Sequence, residues 1–162
     1  MTPAPTTLIL GWGNPGRGDD GLGPAFVDAF ARLALPGVVV DADYQLTVED
    51  SEEVARHRRV VFVDADRRGS APFRMRRVRP GTPALGFSTH SVAPASVLTL
   101  SRDLFAREPE AWLLGIRGYA FDEFGEGLSN GARDNLARAV EFLRATVESG
   151  SFRSRDPHDE VD

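Results

Sequence analysis

The chain has 162 residues, 41% of them apolar and 27% charged, enough for one packed domain that buries about 70% of the surface its unfolded form exposes, and too few for two. Its net charge of -5 is the wrong sign for a nucleic-acid-binding face, so no nucleic-acid partner is expected. It has no cysteine and no lysine, which excludes a thiol nucleophile, thiolate metal ligands, a Schiff-base lysine and the phosphate-binding lysine of a P-loop.

The opening MTPAPTT carries no basic cluster, and the apolar run Leu8 to Leu10 is too short for a signal-peptide core or a membrane span. A cytoplasmic protein with no membrane partner is therefore expected. Thr7 to Gly11 reads as a buried strand feeding a tight glycine turn. Leu22, Phe26, Ala29, Phe30 and Leu33 then recur at helical spacing, closed by Pro36 and Gly37. Val38 to Val40 is a second strand ending at Asp41. A short exposed helix follows around Val54, with Thr47 as its cap and Asp50 three residues on.

Val60 to Val63 forms a third strand with Asp64 at its C-terminal end. Residues 73–78 (FRMRRV) alternate apolar and Arg, which predicts a solvated edge strand without a catalytic role. Arg79 to Thr89 is a loop, and His90 stands where it meets a helix from about Pro94 to Leu104. Ala111 to Ile116 is a fourth core strand, followed by a long loop from Arg117 to Asn130. The last helix runs from about Gly131 to Val147, with Leu136, Val140, Leu143 and Val147 on one face. Residues 1–150 make the domain; residues 151–162 form a polar tail expected to be disordered.

Strands alternating with helices imply βαβ units. The expected class is α/β: a single three-layer domain, a mostly parallel twisted sheet with helices on both faces, phosphorylase/hydrolase-like. In such sheets the ligand site lies at the carboxyl ends of the strands. Three polar features point there: Asn14 to Asp20, Asp64, and His90.

Several chemistries compete. Gly11 to Gly16 spells GxGxxG after a strand, the context of a dinucleotide loop. Here Pro15, Gly16 and Gly18 delay the helix, and Asp19 and Asp20 put two negative charges near where a pyrophosphate would sit. Gly13 to Gly16 (GNPG) also resembles the opening of bacterial peptidyl-tRNA hydrolases, but Pro24 stands where that family has a catalytic histidine. Gly127 to Gly131 matches GxSxG, yet no strand ends before it, and Ser129 reads as the N-cap of the last helix. A triad of Ser88 or Ser91 with His90 and Asp64 asks sequence neighbours to face each other.

The remaining constellation is Asp20, Asp64 and His90. Two carboxylates and an imidazole can hold a divalent cation and leave positions open for water or substrate. Each also has a plainer reading: Asp20 as a complement to the helix dipole, Asp64 as a turn residue, His90 as a hydrogen-bonding residue at a helix entry.

Three segments, GWGNPGRGDDGLGP, VVFVDA and FSTHSVAPASVL, together resemble the hydrogenase maturation endopeptidases over roughly residues 7 to 147. The resemblance implies a twisted, mostly parallel sheet between helices. It implies nickel contacts and catalytic roles for Asp20, Asp64 and His90, with Asp19 the neighbouring second choice. The activity implied is removal of the C-terminal extension of a [NiFe] hydrogenase large-subunit precursor after nickel insertion. The nickel would be carried by the substrate, and no organic cofactor is implied. Residues 43–50 replace a glycine-rich segment and resemble the version serving soluble, NAD-linked hydrogenases. Two other functions fit the same residues: a non-catalytic metallocentre-binding chaperone and a general metal-dependent peptidase.

Overall fold

The computed structural model describes residues 6–81, 92–122, 124–125 and 127–157. Its strands are β1 (Thr7–Trp12), β2 (Val38–Asp43), β3 (Arg59–Asp66), β4 (Phe73–Val78) and β5 (Glu110–Arg117). They form one sheet in the order β2-β1-β3-β5-β4. All neighbours are parallel except β4, which pairs antiparallel with β5 at the edge, as its alternation of apolar and Arg predicts.

Among the described residues, four α-helices cover the sheet: α1 (Leu22–Ala31), α2 (Asp50–Val54), α3 (Pro94–Phe105) and α4 (Asn130–Ser149). Successive strand residues point to opposite faces, so the central strands β1, β3 and β5 each feed two cores. Ile9, Val61, Val63, Leu114 and Ile116 join Phe26 and Phe30 of α1 and Leu143 of α4 on one face. Leu8, Leu10, Val60 and Phe62 join Val54 of α2 and Val97 and Leu98 of α3 on the other. Burial on both faces is why β3 reads as an unbroken apolar run instead of an alternation. Phe26, Phe30 and Phe62 are each at most 1% exposed and contribute roughly 1.5–3 kcal/mol apiece.

The layers lie close because of glycine. A Cβ on Gly23 would stand 2.2 Å from the Trp12 carbonyl oxygen, and one on Gly11 would stand 2.6 Å from the Gly23 carbonyl oxygen. The first turn of α1 therefore rests directly on β1, and the loop between them has no slack.

Part of the polar C-terminal segment, residues 151–157, lies among the described residues. Residues 151–157 pack along the sheet: Phe152 lies 6.3 Å from the Trp112 ring, and Arg155 exchanges two main-chain hydrogen bonds with Met75. One aromatic side chain and an open strand edge supply what the polar composition lacks. Among the described residues, no helix is long and apolar enough to cross a membrane.

Candidate active site

The chain leaves β1 toward β2 on one side and returns past β1 to β3 on the other. The loops following β1 and β3 therefore diverge and open a crevice between the carboxyl ends of these strands. Asp20 comes from the first loop, Asp64 from the end of β3, and both line one cleft of about 650 Å³.

The first loop is built to present Asp20. Gly13 has φ +146°, and a Cβ there would stand 1.9 Å from the Asp20 carbonyl oxygen. The space that a dinucleotide loop gives to pyrophosphate is filled here by the loop's own backbone. Asn14 Oδ1 accepts the Gly16 N–H at 2.9 Å, an Asx turn, and the Asn14 N–H donates to Asp20 Oδ2 at 2.8 Å. A 3-10 turn over Gly18–Gly21 then leads into α1.

Asp19, one residue earlier, faces inward and is fully buried. Its carboxylate accepts the N–H groups of Tyr119, Ala120 and Ser129 and the Ser129 hydroxyl, all within 2.9 Å. Burial pushes its pKa up, but these bonds together outweigh burial and hold the carboxyl below its ordinary value. Asp19 thus ties the first loop to the segment before α4. Ser129 also accepts the Ala132 N–H, so it is the N-cap its position predicts.

Asp64 has the opposite environment. One oxygen accepts the Ala65 N–H at 2.8 Å. Burial, reinforced by the charges of Asp20 and Asp66, overrides that bond and pushes its carboxyl up to about 7. A carboxyl poised there can take a proton from water and return it near neutral pH. The two acids, 44 positions apart in sequence, thus line one cleft, and the charge of Asp20 is among the causes that raise Asp64.

Two groups of side chains join the cleft that the sequence reading passes over. Asp66, two positions beyond Asp64 and so on the same side of β3, accepts an Arg74 guanidinium N–H at 2.8 Å and the N–H groups of Arg68 and Gly69. Burial opposes ionisation, but these partners hold it below the usual carboxylate range. Arg74 and Arg76 of β4 also line the cleft. The edge strand, in which the sequence implies nothing catalytic, lines the cleft because its period of two puts Phe73 and Met75 into the core and Arg74 and Arg76 on the opposite face.

His90, with Ser88 and Ser91, lies outside the described residues. Among the described residues no group of three or more His, Asp or Glu could hold a metal ion. The structure places Asp20 and Asp64 in the same cleft.

No protein-family model matches the sequence, and no curated protein matches it. Solved structures do resemble it along its length. The hydrogenase maturating endopeptidase HybD from E. coli has a TM-score of 0.69 at 19% identity, covering 96% of this chain and 99% of that one. The [NiFe] hydrogenase maturation protease HycI from Thermococcus kodakarensis scores 0.67 at 21% identity, covering 88% and 92%. The endopeptidase HycI from Escherichia coli scores 0.67 at 24%, covering 91% and 94%. At these identities the likeness speaks to architecture. The chain, from its first strand to its last helix, has the fold of the hydrogenase maturation endopeptidases.

Proposed function

We propose that this chain is an endopeptidase that removes the C-terminal extension of a [NiFe] hydrogenase large-subunit precursor once nickel is in place. The observation that carries the reading is the pair Asp20 and Asp64 in one cleft, at the switch point of a fold held in common with proteins named for this activity. The segments GWGNPGRGDDGLGP, VVFVDA and FSTHSVAPASVL support it independently. Residues 43–50 favour a partner of the soluble, NAD-linked kind.

Nickel belongs to the substrate in this reading. Asp20, oriented by the Asn14 N–H, contacts it together with Asp64 and His90. Bound nickel polarises the scissile carbonyl, and ionised Asp64 takes a proton from the attacking water. The same carboxyl then returns that proton to the departing amine nitrogen, so it ends the cycle as it began.

Intact mass spectrometry tests this. A nickel-loaded large-subunit precursor incubated with the protein is expected to lose a C-terminal peptide, and the nickel-free form is expected to stay whole. Binding without shortening would make the protein a metallocentre-binding chaperone. Cleavage of unrelated peptides with added metal would make it a general peptidase.

A further inference from the structure

The proposed chemistry does not use the outer edge of β4. In an antiparallel ladder, alternate residues turn both main-chain groups to the same side. The Met75 N–H donates to the Arg155 carbonyl at 2.7 Å, and the Arg155 N–H donates to the Met75 carbonyl at 2.8 Å. Arg155 is thus joined to the outer edge of β4 at Met75 by an isolated antiparallel bridge.

The direction of this segment is informative. It starts at Phe152, which packs beside Trp112 near the beginning of β5. It ends at Asp156, whose charge, behind the larger effect of Asp66, helps keep Arg74 protonated. Arg74 pairs in register with Gly115, near the carboxyl end of β5. The segment therefore runs toward the end of the sheet that carries Asp20 and Asp64, and Ser154, Arg155 and Asp156 line the same cleft as those acids. A peptide laid there enters the site C-terminal end first.

Its two halves are held differently. Phe152 is fixed by Trp112 and by the Arg59 guanidinium 3.8 Å above its ring. Beyond it, Arg155 exchanges its two main-chain bonds with Met75, and its guanidinium lies 5.4 and 5.3 Å from the Phe73 and Phe142 rings. Addition of a strand to an open edge takes affinity from main-chain bonds and specificity from alternate side chains. The alternate side chains of β4 on the cleft side are Arg74 and Arg76, which suit a carboxylate.

We propose that the outer edge of β4 is the docking strand for the substrate polypeptide. The segment leading into the bond to be cut adds antiparallel to β4 with an acidic residue against Arg74 and Arg76, and the chain's own Ser154–Asp156 holds that place until substrate displaces it. This inference rests on the endopeptidase reading.

The test uses the full-length protein, a form ending at Arg153, and a full-length Arg155→Pro variant, which loses the N–H donated to Met75 and retains Phe152. The probe is a fluorescent peptide of residues 153–162 (RSRDPHDEVD). The shortened form is expected to bind it at least tenfold more tightly than the full-length protein, and Arg76→Glu in the shortened form is expected to weaken binding about tenfold. In the precursor assay, both the shortened form and Arg155→Pro are expected to show a severalfold lower KM at equal kcat, with the free peptide competing against precursor. Cleavage by all forms with unchanged KM overturns the docking edge and spares the endopeptidase. Absence of cleavage by the full-length protein overturns the endopeptidase reading, and peptide binding to the shortened form then still decides the edge.

Discussion

The carboxylate of Asp19 accepts both the backbone N–H and the hydroxyl of Ser129, each at 2.7 Å, across 110 positions of sequence. It joins the loop that carries Asp20 to the start of α4, and its other bonds go to Tyr119 and Ala120. Asp19→Ala leaves several buried donors unpaired and should cost about 3 kcal/mol or more. Ser129→Ala loses the helix cap and should cost about 1–2 kcal/mol. Urea unfolding midpoints measure both; a loss under about 0.5 kcal/mol for Asp19→Ala would show that this carboxylate is no lock, since ordinary surface changes lie within that range.

Asp64, with its carboxyl near 7, should act as a base only when ionised. The kcat/KM for precursor processing, which follows ionisation of the free enzyme, is expected to rise with pH through about 7 and flatten above it, and Asp64→Asn should abolish processing. Initial rates of precursor cleavage between about pH 5.5 and 8.5 give the profile. A flat profile removes Asp64 from the proton transfer.

The same residue links stability to pH. Its folded-state pKa lies above the ordinary 3.8, so the stability it contributes is full below the unfolded value and is lost as pH rises through about 7. Asp64→Asn removes the buried charge and should stabilise the protein at pH 8 by on the order of 2 kcal/mol, with little change below about pH 4. Thermal melts at the two pH values should separate by several degrees only at the higher one. Equal shifts at both would contradict burial of the charge.

Asp20→Asn should separate position from charge. The amide oxygen can still accept the Asn14 N–H, so the loop should hold, while the charge that helps raise Asp64 disappears. The Asp64 titration midpoint is expected to move down, which carboxyl-carbon NMR can follow, and processing should fail with the fold intact. Wild-type turnover by this variant would remove Asp20 from the site.

Gly23→Ala should disturb the site from behind. Its Cβ would meet the main chain of β1 at 2.2 Å and of β3 at 2.9 Å, and backbone atoms cannot rotate aside. The helix must shift outward at a cost of about 2 kcal/mol or more, taking the Asp20 loop with it. Reduced stability together with reduced processing is expected; a neutral substitution would mean the layers are looser than described.

Apolar patterning and capping signals located the five strands and four α-helices of the described residues, because that patterning is a local consequence of which faces are covered, while the 3-10 turn over Gly18–Gly21 lay inside a segment read as a loop. These signals placed FRMRRV at an edge and Ser129 at a helix start, both as the structure has them. Boundaries moved by a few residues: α1 stops at Ala31, leaving Leu33 partly exposed, and β3 continues to Asp66.

Adjacent residues of one type defeat that kind of reading. Asp19 and Asp20 are chemically identical in the sequence, which ranks them but cannot say why one is a buried lock and the other faces the cleft. That choice depends on donors at Tyr119, Ala120 and Ser129, a hundred positions away. The cleft role of Arg74 and Arg76 and the docking of residues 151–157 on β4 likewise depend on which strand ends at the edge and what lies beside it. The layered α/β architecture and the acids at the strand ends are legible in the order of the residues. Which acid is solvent-shielded, how far burial raises Asp64, and which arginines meet the cleft follow from the folded arrangement, because burial and charge proximity are set by contacts between distant segments.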